Sequence, residues 1–331
     1  MASINFTGTD YLGISQDVKF REFLNEGFEI YGNNFGGSRL SGTYSELFFE
    51  AESRLAQISG AESAVTFSSG TLAGLSLKKV LDSKATFIYA PDTHPALSPE
   101  NLDNIDFKQW QHKLVKNFSK KGNSLIILSN SLNALKSLKY DFSWTETIAE
   151  KRKVILVVDD SHGFGVLGEN GKGVFCELPS HPNIEKIVIS SLNKAWGVPG
   201  GAILASEKII ETLKQTDLFG GASPIIPAYL YAFLNFEKKY YQNRRKLRNN
   251  LNFFIDKLTQ KQHFTFFENF PVFSTQYHNL PDIMKKHNVQ ISAFNYPTPK
   301  DERYTRIVIT EKHTEKELLL CINAVNSFFG G

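Results

Sequence analysis

Short runs of β-branched and aliphatic residues, each closed by turn residues, recur along the first two thirds of the chain. Helix-period segments separate them, the pattern of successive βαβ units. The runs predict strands at 64–67, 85–89, 125–128, 154–158, 187–189 and 202–205. VILVV at 154–158 has no polar residue on either face, as expected for a central parallel strand covered by helices on both sides. It ends in two aspartates, and ligands of open α/β sheets gather beyond the carboxyl ends of the strands. From about Pro224 the pattern changes, and the stretch FLNFEKKYYQNRRKLRNNLNFFIDKL has helical spacing and predicts a linking helix. A smaller α+β lobe follows, with strands in PVFSTQ and RIVIT and a last helix from Glu315. The expected architecture is α/β, with a large doubly wound, mostly parallel sheet domain at 36–230. An N-terminal segment, 1–35, precedes it, and the linking helix and small C-terminal domain occupy 231–331.

The 331 residues are 41% hydrophobic, 21% charged and 13% aromatic, which excludes disordered, collagen-like and coiled-coil classes. With 37 Lys plus Arg against 34 Asp plus Glu, the net charge of +3 singles out neither a nucleic-acid nor a membrane-surface partner. The basic run in the linking helix carries both signs and reads as a solvated face. Cys176 and Cys321 lie far apart without a metal-ligand spacing, so neither a disulfide framework nor a thiolate zinc site is expected. No stretch reaches the roughly 18–20 apolar residues that span a bilayer, and the start of the chain lacks a signal-peptide pattern. The expectation is a cytoplasmic protein that works on small molecules, without nucleic acid or a membrane span.

Four segments carry candidate chemistry. Lys194, in SSLNKAWG, follows an apolar strand and precedes a glycine run, surroundings that lower an amine pKa and suit imine formation; a surface lysine is the plain alternative. In VDDSHGFG an aspartate at the strand end could hold the proton of a pyridinium nitrogen, while one of Asp159 and Asp160 could instead cap a helix. His162 has no second ligand at a metal spacing, so no metal is expected. In FSSGTLAG a strand gives way to a helix through a Ser/Gly turn, either a phosphate site at Gly70 and Thr71 or an ordinary N-cap. His94, in a turn after a strand, could stack on a flat ring or be merely a loop residue.

Taken in order, phosphate turn, stacking histidine, strand-end acid and lysine resemble the fold-type I pyridoxal-phosphate enzymes. Within them the chain resembles the α-oxoamine synthases, the group of 8-amino-7-oxononanoate synthase and serine palmitoyltransferase. The resemblance rests on FTGTDYLGIS, GGSRLSG at 36–42, FSSGTLAG at 67–74, VVDDSHGFGVLGENGKG at 157–173, SSLNKAWGVPGG at 190–201 and RIVIT at 306–310. It implies pyridoxal 5'-phosphate as cofactor and decarboxylating condensation of an amino acid with an acyl-CoA to give an aminoketone. By the same resemblance Lys194 matches the lysine of the internal aldimine, which later moves the Cα proton, and Asp159 the partner of the pyridine nitrogen. His162 matches the histidine near the phenolic oxygen, and His94 the one stacked on the ring. Gly70, Thr71 and Ser191 match phosphate ligands, Ser223 one that reaches the partner subunit's phosphate, and Arg306 the arginine that holds the substrate carboxylate. A homodimer with its active site at the interface is implied too.

Several positions depart from the family pattern: Thr9 stands where Asn is usual, Phe48 for a histidine, Asn130 for an acid and Ala134 for a serine. The cofactor residues are kept and the substrate-facing ones are not. The alternatives are therefore another pyridoxal-phosphate reaction on the same scaffold (aminotransferase, decarboxylase or lyase) or a low-activity cofactor-binding partner subunit.

Overall fold

The structure, a computed structural model, describes residues 3–81, 83–99, 102 and 105–330; the outermost expected segment bounds, positions 1 and 331, lie outside the described residues. Among these residues the elements run, in chain order, β1 (Ile4–Phe6), α1 (Val18–Tyr31), α2 (Ser45–Ser59), β2 (Ser63–Phe67), α3 (Gly70–Val80), β3 (Thr86–Tyr89), α4 (Phe107–Phe118) and β4 (Leu125–Asn130). There follow β5 (Leu132–Asn133), β6 (Leu138–Lys139), α5 (Thr145–Ala149), β7 (Val154–Asp159), β8 (Ile184–Ser191), β9 (Gly201–Ala205), α6 (Glu207–Lys214), α7 (Asp217–Gly221) and α8 (Pro227–Asn235). The last are α9 (Glu237–Lys257), β10 (Val272–Thr275), α10 (Leu280–Lys286), β11 (Val289–Asn295), β12 (Arg303–Val308) and α11 (Glu315–Gly330). They form two compact units, one of Asp17–Ser131 and Tyr140–Glu237, the other falling within Met1–Gln16, Leu132–Lys139 and Lys238–Gly331.

The larger unit is built on a sheet of order β2-β9-β8-β7-β4-β3, and all six expected strands are in it. β7 lies inside the sheet, parallel to β4 on one side and β8 on the other. The sheet explains the unbroken VILVV run. Ile126, Leu128, Val157, Ile187, Ile189 and Ile203 enter one core with Ala73 and Leu77 of α3 and Ile210 and Leu213 of α6. The alternate residues Ile127, Leu156, Val158, Val188 and Leu204 are buried as well, so neither face of the sheet is left to solvent. β9 runs antiparallel between β2 and β8, which makes the sheet mostly rather than wholly parallel. Because β4, β7 and β8 are parallel, their carboxyl ends share one edge, and the chemistry-bearing segments begin there.

Two features differ from the sequence reading. α1, inside the segment expected only as an N-terminal lead, is a 14-residue helix capped by the Asp17 side chain on the N–H groups of Lys19 and Phe20. The linking helix is broken at Phe236, whose N–H turns back to the Phe233 carbonyl as α8 gives way to α9. The apolar spacing continues through the break, because the Phe236 ring is itself buried, edge-on to Phe20.

The smaller unit holds a sheet of order β1-β11-β12-β10, in which β10 and β12 are the strands expected in PVFSTQ and RIVIT. β1 joins it parallel to β11, a pairing across nearly the whole sequence. The last helix, α11, begins at Glu315 as expected. Among the described residues no helix is long and apolar enough to cross a membrane.

α1 packs against α8 at a point where only glycine fits: a Cβ on Gly27 would stand 2.8 Å from Ala228 Cα and 2.9 Å from its carbonyl oxygen. Backbone cannot yield as a flexible side chain does. Gly27→Val is expected to lower stability by about 1–3 kcal/mol, read as a reduced urea midpoint. An unchanged midpoint would show that the two helices slide apart freely.

Candidate active site

Each wall of the site begins where a strand ends. After β2, Ser69 adopts extended backbone and its hydroxyl accepts the Leu72 N–H, which starts α3 at Gly70. The first N–H groups of a helix have no carbonyl one turn back to receive them, and the helix dipole points its positive end the same way. The close approach here requires glycine at 201 and leaves little room for a side chain at 70. A Cβ on Gly201 would lie 2.5 Å from the Gly70 nitrogen, and one on Gly70 would lie 3.1 Å from Ser191 Cβ.

After β7 the two aspartates part. Asp159 accepts the Ser161 N–H at 2.9 Å and lines the pocket. Asp160 turns into the protein, 1% exposed, and takes the Ser131 hydroxyl at 2.5 Å on one oxygen and the Val174 N–H at 2.8 Å on the other. Neither caps a helix. Burial pushes the Asp160 carboxyl up to about 7, against the opposing pull of those two hydrogen bonds. Ser161 ties this corner to the next strand, since its hydroxyl accepts the Ser191 N–H at 2.8 Å.

After β8 the loop carrying Lys194 is closed by hydrogen bonds from Leu192 N–H to the Gly200 carbonyl and from Val198 N–H to the Leu192 carbonyl. Burial holds the Lys194 ammonium below the ordinary lysine range, while the charges of Asp159 and Asp160 pull it back up. After β3, His94 is set in a turn whose Asp92 has φ +59°, and its Nδ1 accepts the Ala96 N–H at 3.2 Å.

These elements enclose a pocket of about 350 Å³, within the usual range of small-molecule and cofactor sites. It is lined by Gly70, Thr71, His94, Asp159, Ser191 and Lys194, so six of the nine residues singled out from sequence meet in one place. Ser68, Ser69, Ser161, Asn193, Pro199 and Gly200 also line it and were not singled out, although each lies within a motif that was. A phosphate end, a flat ring and a reactive carbonyl would find a helix N-terminus, an imidazole with a carboxylate, and an amine; the residues fit pyridoxal phosphate.

Three expected residues are not among the pocket lining. His162 is half-buried two residues beyond Asp160, and Ser223 is exposed on the loop after α7. Arg306 belongs to the other unit, buried in the middle of β12. Its Nη1 donates to the Ala134 carbonyl at 2.9 Å, its guanidinium lies 5.0 Å from the centre of the Phe294 ring, and its Nε has no hydrogen-bond partner. Of the departing positions, Thr9 lies half-buried ahead of Asp10 in the smaller unit. Phe48 is a core residue, its ring 3.9 Å below the Arg39 guanidinium. Among the described residues no cluster of His, Cys, Asp or Glu is arranged to hold a metal ion.

The Asp160 carboxyl titrates near 3.8 in an unfolded chain and near 7 here. Between those values the folded protein keeps a proton that the unfolded chain has lost, so its contribution to stability is full at low pH and drains away as pH rises through that window. Asp160→Asn can keep both contacts, its oxygen on the Val174 N–H and its NH₂ on a reoriented Ser131 hydroxyl. Denaturant titrations at successive pH values should give a flatter profile for the variant, and a slope equal to that of the natural protein would assign the titration to another group.

Comparison with known proteins gives the same frame. The sequence model of the family described as aminotransferase class I and II matches residues 4–325. The 8-amino-7-oxononanoate synthase of Buchnera aphidicola subsp. Baizongia pistaciae (strain Bp) is 27% identical over 99% of this chain and 90% of that relative. The solved structure of 8-amino-7-oxononanoate synthase from Francisella tularensis has a TM-score of 0.75 at 22% identity, covering 99% of this chain and 98% of that one. A structure of SPT with PLP as internal aldimine has a TM-score of 0.81 at 17% identity, covering 98% of this chain and 87% of that one. The structural likenesses establish the fold-type I arrangement, and the match over nearly the full length establishes the rest: this chain belongs to the aminotransferase class I and II family.

Proposed function

We propose that this protein uses pyridoxal 5'-phosphate to condense an amino acid with an acyl-CoA, with decarboxylation, to give an aminoketone. The observation that carries the reading is Lys194, an amine depressed by burial, sharing one pocket with Asp159 and the first turn of α3. Bound pyridoxal phosphate supplies a carbonyl for amines and a protonated ring that draws electrons from the bond being broken. Gly70 and Thr71 would hold the phosphate through backbone N–H groups, with Ser191 adding its hydroxyl. Asp159, kept in one orientation by the Ser161 N–H, holds the proton on the ring nitrogen. His94 would lie against the ring, and by the family resemblance His162 would serve its phenolic oxygen. Lys194 Nζ takes and returns the proton at the substrate Cα, work for which an amine needs a pKa near the operating pH. Arg306 has donors left over after its bond to Ala134 and, among the described residues, no carboxylate paired with it, so its planar fork suits the amino-acid carboxylate.

The assembly in this reading is a homodimer. Ile30, Leu40, Phe49 and Leu75 of the larger unit are large apolar side chains left 47–69% exposed, which a second copy would cover, and the exposed Ser223 would reach the partner's phosphate. The relatives are named as synthases of one kind, which does not favour an aminotransferase, decarboxylase or lyase, or a low-activity partner subunit.

Crossing alanine, glycine and serine with short-chain, pimeloyl and long-chain acyl-CoAs should give thiol release that depends on the amino acid. Cofactor uptake with no release from any pair would sink the condensation. Lys194→Ala is expected to lose cofactor fixed by borohydride and about 10²–10⁴-fold in turnover, and a variant that still fixed it would move the reactive amine elsewhere. Sedimentation should give about twice the chain mass of 37.3 kDa, against a single-chain value if the apolar surface is left uncovered.

A further inference from the structure

β4 ends at Asn130, which pairs in register with Asp159 of β7, so this side chain leaves the sheet beside the pocket without lining it. It is spent on the neighbouring turn. Its Oδ1 accepts the His94 N–H at 3.1 Å, and its Nδ2 donates to the Asp92 carbonyl at 2.6 Å. The two partners fix which end of the amide is which, since a backbone N–H can only donate and a carbonyl can only accept. The stretch between them, through Thr93, follows directly on Asp92 at φ +59°, a left-handed conformation uncommon outside glycine. The inner side of the same turn is held by the Thr93 hydroxyl on the Ala90 carbonyl at 2.7 Å. His94 is thus the one pocket residue of this turn, and its backbone is clamped from the strand next to Asp159.

We propose that Asn130 is the positioning residue for His94: its amide bridges the Asp92 carbonyl and the His94 N–H, just past the left-handed residue, and gives the imidazole one setting against a planar ligand. This rests on the reading of His94 as the residue against the cofactor ring. The residue type is demanded by the contacts. Alanine leaves both backbone groups without this partner. Aspartate keeps the acceptor for the His94 N–H but presents an oxygen to the Asp92 carbonyl where a donor is needed, so it loses one contact of two at nearly unchanged volume.

The test compares the natural protein with Asn130→Ala and Asn130→Asp, each as the full chain. Without cofactor, hydrogen exchange over residues 90–97 should quicken about tenfold in Asn130→Ala and less in Asn130→Asp, while α3 and β7 exchange as before. With pyridoxal phosphate, Asn130→Ala should bind about five- to tenfold more weakly, and the visible circular dichroism of the bound cofactor should change, a signal a purely structural role would leave alone. Unchanged exchange over 90–97, or unchanged dichroism and affinity, would overturn the proposal. Should Asn130→Ala not fold, Asn130→Asp decides alone, and natural affinity and dichroism in it would overturn the proposal equally. If the natural protein takes up no cofactor, the reading of the pocket fails, and the exchange measurement still decides whether Asn130 holds the turn.

Discussion

At Gly201 a methyl group would stand 2.5 Å from the Gly70 nitrogen, and at Gly70 it would crowd Ser191. The first turn of α3 is therefore pressed against the ends of β8 and β9 as closely as backbone allows, and most of the pocket depends on that approach. A helix N-terminus attracts anions through N–H groups that its own carbonyls cannot reach, but the field fades within a turn. It is useful only if the reactive amine stands close by. Lys194 leaves the loop that β8 feeds, so the glycines at 70 and 201 bring the first turn of α3 and the Lys194 amine to one volume of about 350 Å³.

The electrostatics of that volume turn on a competition at Lys194. Desolvation disfavours the ammonium, the neighbouring acids favour it, and desolvation is the larger effect. Asp160 pulls less than Asp159, and it is itself buried, with its carboxyl raised to about 7. Its hydrogen bonds to Ser131 and Val174 then act as a strut between the end of β4 and the loop after β7. Asp159, on the pocket side, is left as the principal charge facing the amine. The pair of acids that the motif left as alternatives, and that the family resemblance told apart, thus divides into one that lines the pocket and one that braces the fold.

Elements whose cause is local were legible in the chain. VILVV announced a strand buried on both faces, and the strand-end segments carrying Gly70, His94, Asp159 and Lys194 were found because each motif travels with its strand. Elements whose cause lies elsewhere were not. β1 is three residues long and exists because β11, far along the chain, pairs with it. The break at Phe236 sits where a ring is buried against Phe20, a partner more than two hundred residues away. Asn130 stood out in the chain only as a departure from the family's acid, and the backbone groups it bonds at Asp92 and His94 come into view only in the fold.

The departing position Phe48 shows how such a change is absorbed. An aromatic ring there cannot exchange protons, and it is not in the pocket; it supports the Arg39 guanidinium, which meets both oxygens of Glu52 at 3.0 and 3.2 Å. Glu52 in turn accepts the N–H and hydroxyl of Thr66, the residue from which β2 runs into the turn at Ser69. A buried carboxylate with four donors is tolerable only while all of them stay, since removing one partner strands the charge. The guanidinium in its turn depends on a flat surface beneath it. The apolar ring at 48 thus supports the Arg39, Glu52 and Thr66 contacts that hold the end of β2, ahead of the turn at Ser69.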